Sequence, residues 1–354
     1  MVARLLWVDV ARGICILLVT VHHAVLWLDS YDLSLKFYAQ IDKLFRPIRM
    51  PMFFTVAGFL AAHIIGSRDG YSLLKRVALY LYLYGIWSAL LWILFHAFDL
   101  NSRNFHFGNN LIELATMWFQ PETGFWFVWA LAIYYVLGRV LFSRNRGVVL
   151  LLSAGASALT MSGLIDFFNF AQMNILWYAP FFLGGMWYGR VLSETVQEHP
   201  WSTLGKSLCI FLLIGVGLSL VREGLAFGIG RLLLSGFGLL MGSAAAVLIA
   251  KVNRLSTVFA LLGRNSLHIF LCNEIIISVL LALCDGIFPQ TLIALALLPP
   301  VIVMSAVGGS ILVKRMVAFA GTEGVFSLSP TLRPFSAHVR ALVDARRDDV
   351  RMRS

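Results

Sequence analysis

The chain has 354 residues, 59% of them apolar and only 13% charged, with mean hydropathy +0.82. A soluble domain carries about 25% charged residues, and here apolar stretches of roughly 18 or more residues, each long enough to cross a bilayer, recur along the whole length, so a soluble enzyme is excluded. The net charge of +10 reads as basic loops and a basic tail lying against anionic lipid, not as a nucleic-acid surface.

Taken in chain order, the hydropathy pattern predicts spans near residues 5–28, 48–66, 76–98, 124–142, 147–165, 174–192, 207–221, 229–250, 266–284 and 291–313. The first follows Arg4 as a signal sequence would. But it carries charges and lacks a small-x-small cleavage site, so it reads as a retained helix. The larger share of the 28 Lys and Arg falls on the face holding the loops after the second, fourth, sixth and eighth spans and the tail. The opposite loops hold fewer, among them Lys36, Lys43, Arg46 and Arg49. The expectation is an all-α, polytopic membrane helical bundle of about ten transmembrane helices with both termini cytoplasmic. Residues 1–313 form the membrane unit and 314–354 a basic cytoplasmic tail. Cys15, Cys209, Cys272 and Cys284 are scattered through apolar segments without CxxC spacing and read as small buried hydrophobes.

Chemistry concentrates in the first span, VDVARGICILLVTVHHAV (residues 8–25), where Asp9, Arg12, His22 and His23 interrupt an apolar run. A charge inside a span costs about 2.5–3.5 kcal/mol on insertion scales and by default marks a site. At about 100° per residue, Arg12 and His23 come within roughly 20° of each other, Asp9 shares their face, and His22 points about 80° away from Arg12. Arg12 and His23 stand about 16 Å apart along the axis, so a ligand meeting both must be long and thread the bundle. Asp9 and Arg12, three residues apart, are placed to pair. The blander readings are an Arg12 that snorkels to the interface with Asp9 as partner, and a His23 that is interfacial.

This helix resembles the opening of the membrane-bound acyltransferase-3 family, with its D-x-x-R and R-x10-H spacing, which Arg12 and His23 match and His22 does not. RMPMFFTVAGFL (49–60), with Ala57-Gly58 where Ser-Gly is usual, GFWFVWALAIYYVL (124–137), WYAPFFLGGMWYG (177–189) and LLGRNSLHIFLCNEI (261–275) resemble its later elements in order. Asn273 stands where many members carry histidine. The resemblance implies acyl transfer from a cytoplasmic acyl-CoA, commonly acetyl-CoA, to a carbohydrate hydroxyl, often on an extracytoplasmic surface glycan, in the bacterial cytoplasmic (inner) membrane. On that reading His23 is the general base or a transient acyl carrier, with Arg12 and Asp9 beside it in the catalytic set.

The donor's phosphates call for cations: Arg12 is one candidate, and Arg68, Lys75 and Arg76 in SRDGYSLLKR (67–76) are others, unless they only hold orientation. Glu274 and His22 are possible acceptor-side or structural groups. His268, Arg139, His63 and His96 read as structural or interfacial. The expected partners are the acyl-CoA donor, a carbohydrate acceptor and membrane lipids, with no tightly bound cofactor, no metal and no nucleic acid. The alternative is a transporter or flippase for a glycan precursor or small metabolite, against which stands the lack of an inverted repeat or of matched broken helices.

Overall fold

The computed structural model describes residues 5–67, 69–98, 110–121, 123–165, 169–221, 223–283 and 291–327. Among them there is no strand. The helices are, in order, α1 (Leu6–Ser30), α2 (Lys36–Gly66), α3 (Gly70–Phe98), α4 (Ile112–Thr116), α5 (Trp126–Leu141), α6 (Arg146–Met161), α7 (Phe170–Glu198), α8 (Pro200–Leu220), α9 (Gly224–Ala250), α10 (Asn253–Arg264), α11 (Ser266–Leu283) and α12 (Leu292–Phe319). Helices α1, α2, α3, α8, α9, α11 and α12 are long and apolar enough to cross a membrane, and α5 and α6 are shorter apolar helices. The protein is an all-α integral membrane protein.

Every expected span overlaps one of these helices. The short α4 and the amphipathic α10 were not expected. Helix α10 buries Ser256, Ala260, Leu262 and Gly263 against the bundle while Leu255, Val258 and Leu261 stay exposed.

Helix α1 is the hub, packing against α2, α9, α10, α11 and α12. Its polar stripe therefore faces protein rather than lipid, as backbone and charge solvation in a bilayer require. Small residues bring the neighbouring helices close. A Cβ on Gly263 of α10 would overlap the carbonyl of Asp9, and one on Gly13 would overlap that of Phe259. Helices α2 and α7 cross in the same way, with Gly58 against the carbonyl of Phe182 and Gly185 against that of Thr55. At the other extreme, α8 buries only Pro200, Ser207 and Phe211 and turns Leu212, Leu213, Val216 and Leu220 outward, the pattern of a helix at the lipid boundary.

Two boundaries differ from the sequence reading in ways that matter. Helix α2 begins at Lys36, twelve residues before the expected span at 48, so Lys36, Lys43, Arg46 and Arg49 lie on a helix and not in a loop. Hydropathy misses this stretch because it is polar. Yet it is helical: Asp42 meets His22 of α1 and pairs with Arg49 two turns on, Arg46 lies over Trp177 of α7, and Pro47 and Pro51 fall inside the helix. Helix α12 runs on to Phe319 and is followed by a short 3₁₀ turn (Glu323–Val325). That turn folds back on α3, where Tyr82 Oη donates to the Gly324 carbonyl (3.0 Å) and Trp87 Nε1 to that of Val325 (2.9 Å).

Candidate functional site

A cavity of about 320 Å³ lies between α1, α2, α5, α7 and α11 and is lined by His22, His23, Arg49, Asn174 and Glu274. Its geometry turns on Gly124, in the bend that leads into α5. A Cβ there would overlap the Glu274 carboxylate and stand 2.8 Å from Cε1 of His23. The bare Cα thus lets an imidazole from α1 and a carboxylate from α11 face each other across it. Glu274 is 3% exposed, and its Oε2 has no hydrogen-bond partner among the described residues. Asn174, 1% exposed, likewise leaves its Nδ2 unpartnered. Buried polar atoms are nearly always paired, and these two can accept from and donate to oxygen atoms of water or of a bound molecule.

Asn174 is carried there by a local signal. Asn169 accepts from the backbone N–H of Gln172 (2.9 Å) while the Gln172 side chain takes the Asn169 N–H (3.2 Å). This capping box starts α7, which packs on α2 and lines the cavity through Asn174.

His22, expected to point off the functional face, lines the same cavity. Its Nδ1 is 2.9 Å from Oδ2 of Asp42, and Asp42 ion-pairs Arg49. Asp42 and Arg49 are seven residues, about two turns, apart, and so share a face of α2. The turn of α1 that takes His22 away from Arg12 points it at the polar start of α2, a stretch the sequence reading had as loop. Arg49, 3% exposed, thereby has its counter-charge, as a buried guanidinium needs.

Arg12 and Asp9 are not in this cavity. Arg12 lines a second one of about 400 Å³, together with Arg76 of α3, Ser266 of α11 and an apolar wall that includes Val56, Ala57 and Leu60. Nη2 of Arg12 donates to Ser266 Oγ (2.8 Å), and its Nη1 is 3.9 Å from Oδ1 of Asp9. Asp9, 4% exposed, lines neither cavity. Its backbone packs against Gly263 of α10, and its carboxylate stands beside the guanidinium of Arg12. Of the other cations expected beside Arg12, Arg76 reaches the second cavity, Lys75 is exposed and does not, and Arg68 lies outside the described residues.

Both cavities are lined by Phe127 and Phe270, whose ring centroids are 5.4 Å apart, and Phe53 stacks on Phe127 at 4.6 Å. An aromatic partition thus stands where the two spaces meet, between the Arg12 end and the His23 end of α1.

Asn273 is fully buried and points its Nδ2 at Thr20 Oγ1 (3.5 Å) in the contact of α11 with α1. The neighbouring Glu274 takes the cavity side. His268 packs against Phe326, the two rings tilted by 56° with centroids 4.7 Å apart, and does not line the cavity. Among the described residues no group of three or more His, Cys, Asp or Glu is close enough to hold a metal ion. Sequence reasoning missed Asp42, Arg49, Asn174 and Gly124. The seven-residue spacing of Asp42 and Arg49 was a signal for the first two, once a helix is drawn from Lys36.

The family model for the acyltransferase domain of the acyltransferase-3 family matches residues 5–315. Inner membrane protein YcfT of Escherichia coli (strain K12) is 24% identical over 247 residues, 60% of this chain and 65% of that protein. Nodulation protein NolL of Mesorhizobium japonicum is 28% identical over 157 residues, 44% of this chain and 40% of that protein. The chain thus spans less than two thirds of the length of either relative. No solved structure matches.

Proposed function

The chain belongs to the acyltransferase-3 family of membrane acyltransferases, and from that premise we propose that it moves an acyl group, acetyl in the simplest case, from a cytoplasmic acyl-CoA to a hydroxyl of a surface glycan. The observation that carries this reading is the convergence of His23 and the unpartnered Oε2 of Glu274 on the bare Cα of Gly124. That cavity adjoins a second one bearing Arg12 and Arg76. In this reading the protein sits in the bacterial inner membrane with both termini cytoplasmic, the Arg12 cavity facing the donor and the His23 cavity facing the acceptor.

The division of labour follows from the chemistry. The phosphates of the donor suit the two guanidiniums, which recognise them bidentately. The narrow thioester arm passes the Phe127–Phe270 partition and presents its carbonyl to the second cavity. There the acceptor hydroxyl loses its proton to His23 as its oxygen attacks that carbonyl. The thiolate leaves and takes the proton back, and an ester remains. If His23 instead carries the acyl group transiently, the same atoms serve two successive attacks. Glu274 orients the imidazole or accepts from the acceptor hydroxyl, and Asn174 donates to another acceptor oxygen. Arg49, Asp42 and His22 hold the cavity wall that faces them.

The test compares the ester content of surface glycans in a strain lacking the gene, complemented with wild type or His23→Ala at equal membrane abundance. Restoration by wild type alone upholds the reading, and the recovered ester identifies donor and acceptor together. Restoration by both removes His23 from the chemistry. Restoration by neither removes the surface glycan as acceptor.

A further inference from the structure

A third cavity of about 220 Å³ opens beside the first, between α2, α7, α8 and α9, and shares Arg46 and Tyr178 with it. Its distinctive feature is Trp177. The guanidinium of Arg46 lies 5.5 Å from the indole centroid and that of Arg231 5.3 Å from the same ring, while Arg231 also stands 5.5 Å from the ring of Phe227. Lys43 lines the same space. Among the described residues none of these three cations has a carboxylate partner. Asp42, on the same turn as Lys43 and Arg46, is committed to His22 and Arg49. The indole Nε1 of Trp177 is buried and has no hydrogen-bond partner among the described residues.

Two half-buried guanidiniums sharing one aromatic ring repel each other, and the ring's quadrupole offsets only part of that. A buried N–H without an acceptor adds to the imbalance. Each deficit is met by the same thing, an oxyanion that accepts from two planar guanidiniums, an ammonium and an indole N–H.

We propose that Lys43, Arg46, Arg231 and Trp177 form a binding site for a phosphate or carboxylate group, adjoining the His23 cavity across Arg46 and Tyr178. Joined to the acyltransferase reading, on which this last step alone rests, the site selects an acceptor that carries such a group a short distance from the hydroxyl to be acylated. The acceptor would then be an acidic or phosphorylated sugar rather than a neutral one. A phospholipid headgroup offers the same chemistry, and the experiment separates the two sources.

The full chain is reconstituted in discs of neutral phosphatidylcholine. Binding of glucose 1-phosphate, glucuronate and glucose is then measured by calorimetry, with no acyl donor present. At least one of the two anionic sugars is expected to bind tenfold or more tighter than glucose, with the difference shrinking as salt is raised. Arg231→Gln and Arg46→Gln should each remove most of that preference, and Arg231→Lys should keep part of it, with all variants checked for monodispersity and melting temperature. Absence of any preference in the wild type, or a preference untouched by both glutamine variants, overturns the site. Repeating the titration in discs containing phosphatidylglycerol assigns the source. Sugar-anion binding that persists places the anion on the acceptor, whereas displacement by the lipid places it on a headgroup, and the oxyanion site stands in both cases. Because no acyl transfer is read, failure here leaves the glycan-ester result standing, and the converse holds.

Discussion

At its His23 end, α1 faces polar groups delivered by four other segments: Asp42 and Arg49 from α2, the Thr123–Gly124 bend, Asn174 from α7 and Glu274 from α11. At its Arg12 end it faces Arg76 and Ser266, with Tyr80 and Tyr135 in an otherwise largely apolar wall. One helix thus carries similar residue types into two different surroundings. Where groups converge with atoms left unpartnered, the arrangement suits moving a proton between a bound hydroxyl and a base. Where cations sit on an apolar wall, it suits gripping a charged head while a thin chain lies along the wall. The aromatic pair Phe127 and Phe270 keeps the two apart.

Substitutions at the two ends should therefore fail in different ways. The largest effect is expected at His23. Loss of a general base lowers turnover by about 10²–10⁴-fold, so His23→Ala should abolish ester formation with little change in donor affinity, read from initial rates against acyl-CoA concentration. A rise in KM with normal turnover would merge the two ends into one binding site.

Next comes Asp42→Ala, which strands Arg49 in the interior and releases His22. Removing one partner of a buried pair costs about 3–5 kcal/mol, so a clear drop in melting temperature in detergent is expected together with lost activity. An unchanged melting curve would mean that this network does not hold the wall.

Gly124→Ala places a methyl on the Glu274 carboxylate. Overpacking of this kind costs about 1–3 kcal/mol, and activity should fall at least tenfold. If the alanine enzyme is fully active, His23 and Glu274 do not work across that Cα.

At the other end, Arg12→Lys keeps the charge and loses the fork. A charge-assisted hydrogen bond is worth about 1.5–3 kcal/mol, so KM for acyl-CoA should rise roughly tenfold or more while the maximal rate changes little. Lys75→Ala should do least, under about twofold in either parameter, since the side chain is exposed and off the cavity. A large effect there would return the whole 67–76 stretch to the donor site.

Much of this protein was legible in its residues. Long apolar runs can satisfy their backbone in lipid only as helices, so the all-α membrane architecture and the approximate place of each long helix follow from composition and length. The expense of Asp9, Arg12 and His23 in an apolar run likewise marks α1 as the helix that must be enclosed. What one chain segment cannot reveal is what it meets. Helix α2 starts at Lys36 because Asp42 answers His22 and Arg49, a bond made across 20 residues. Glu274 and His23 share a cavity because a glycine 150 residues before the carboxylate gives way between them. The backbone of Asp9 is met by Gly263 of α10, a helix too polar for hydropathy to flag. Local periodicity sets which face of a helix is polar. The packing of that face against residues far along the chain decides whether its charges become a partner, a wall or a reactive group.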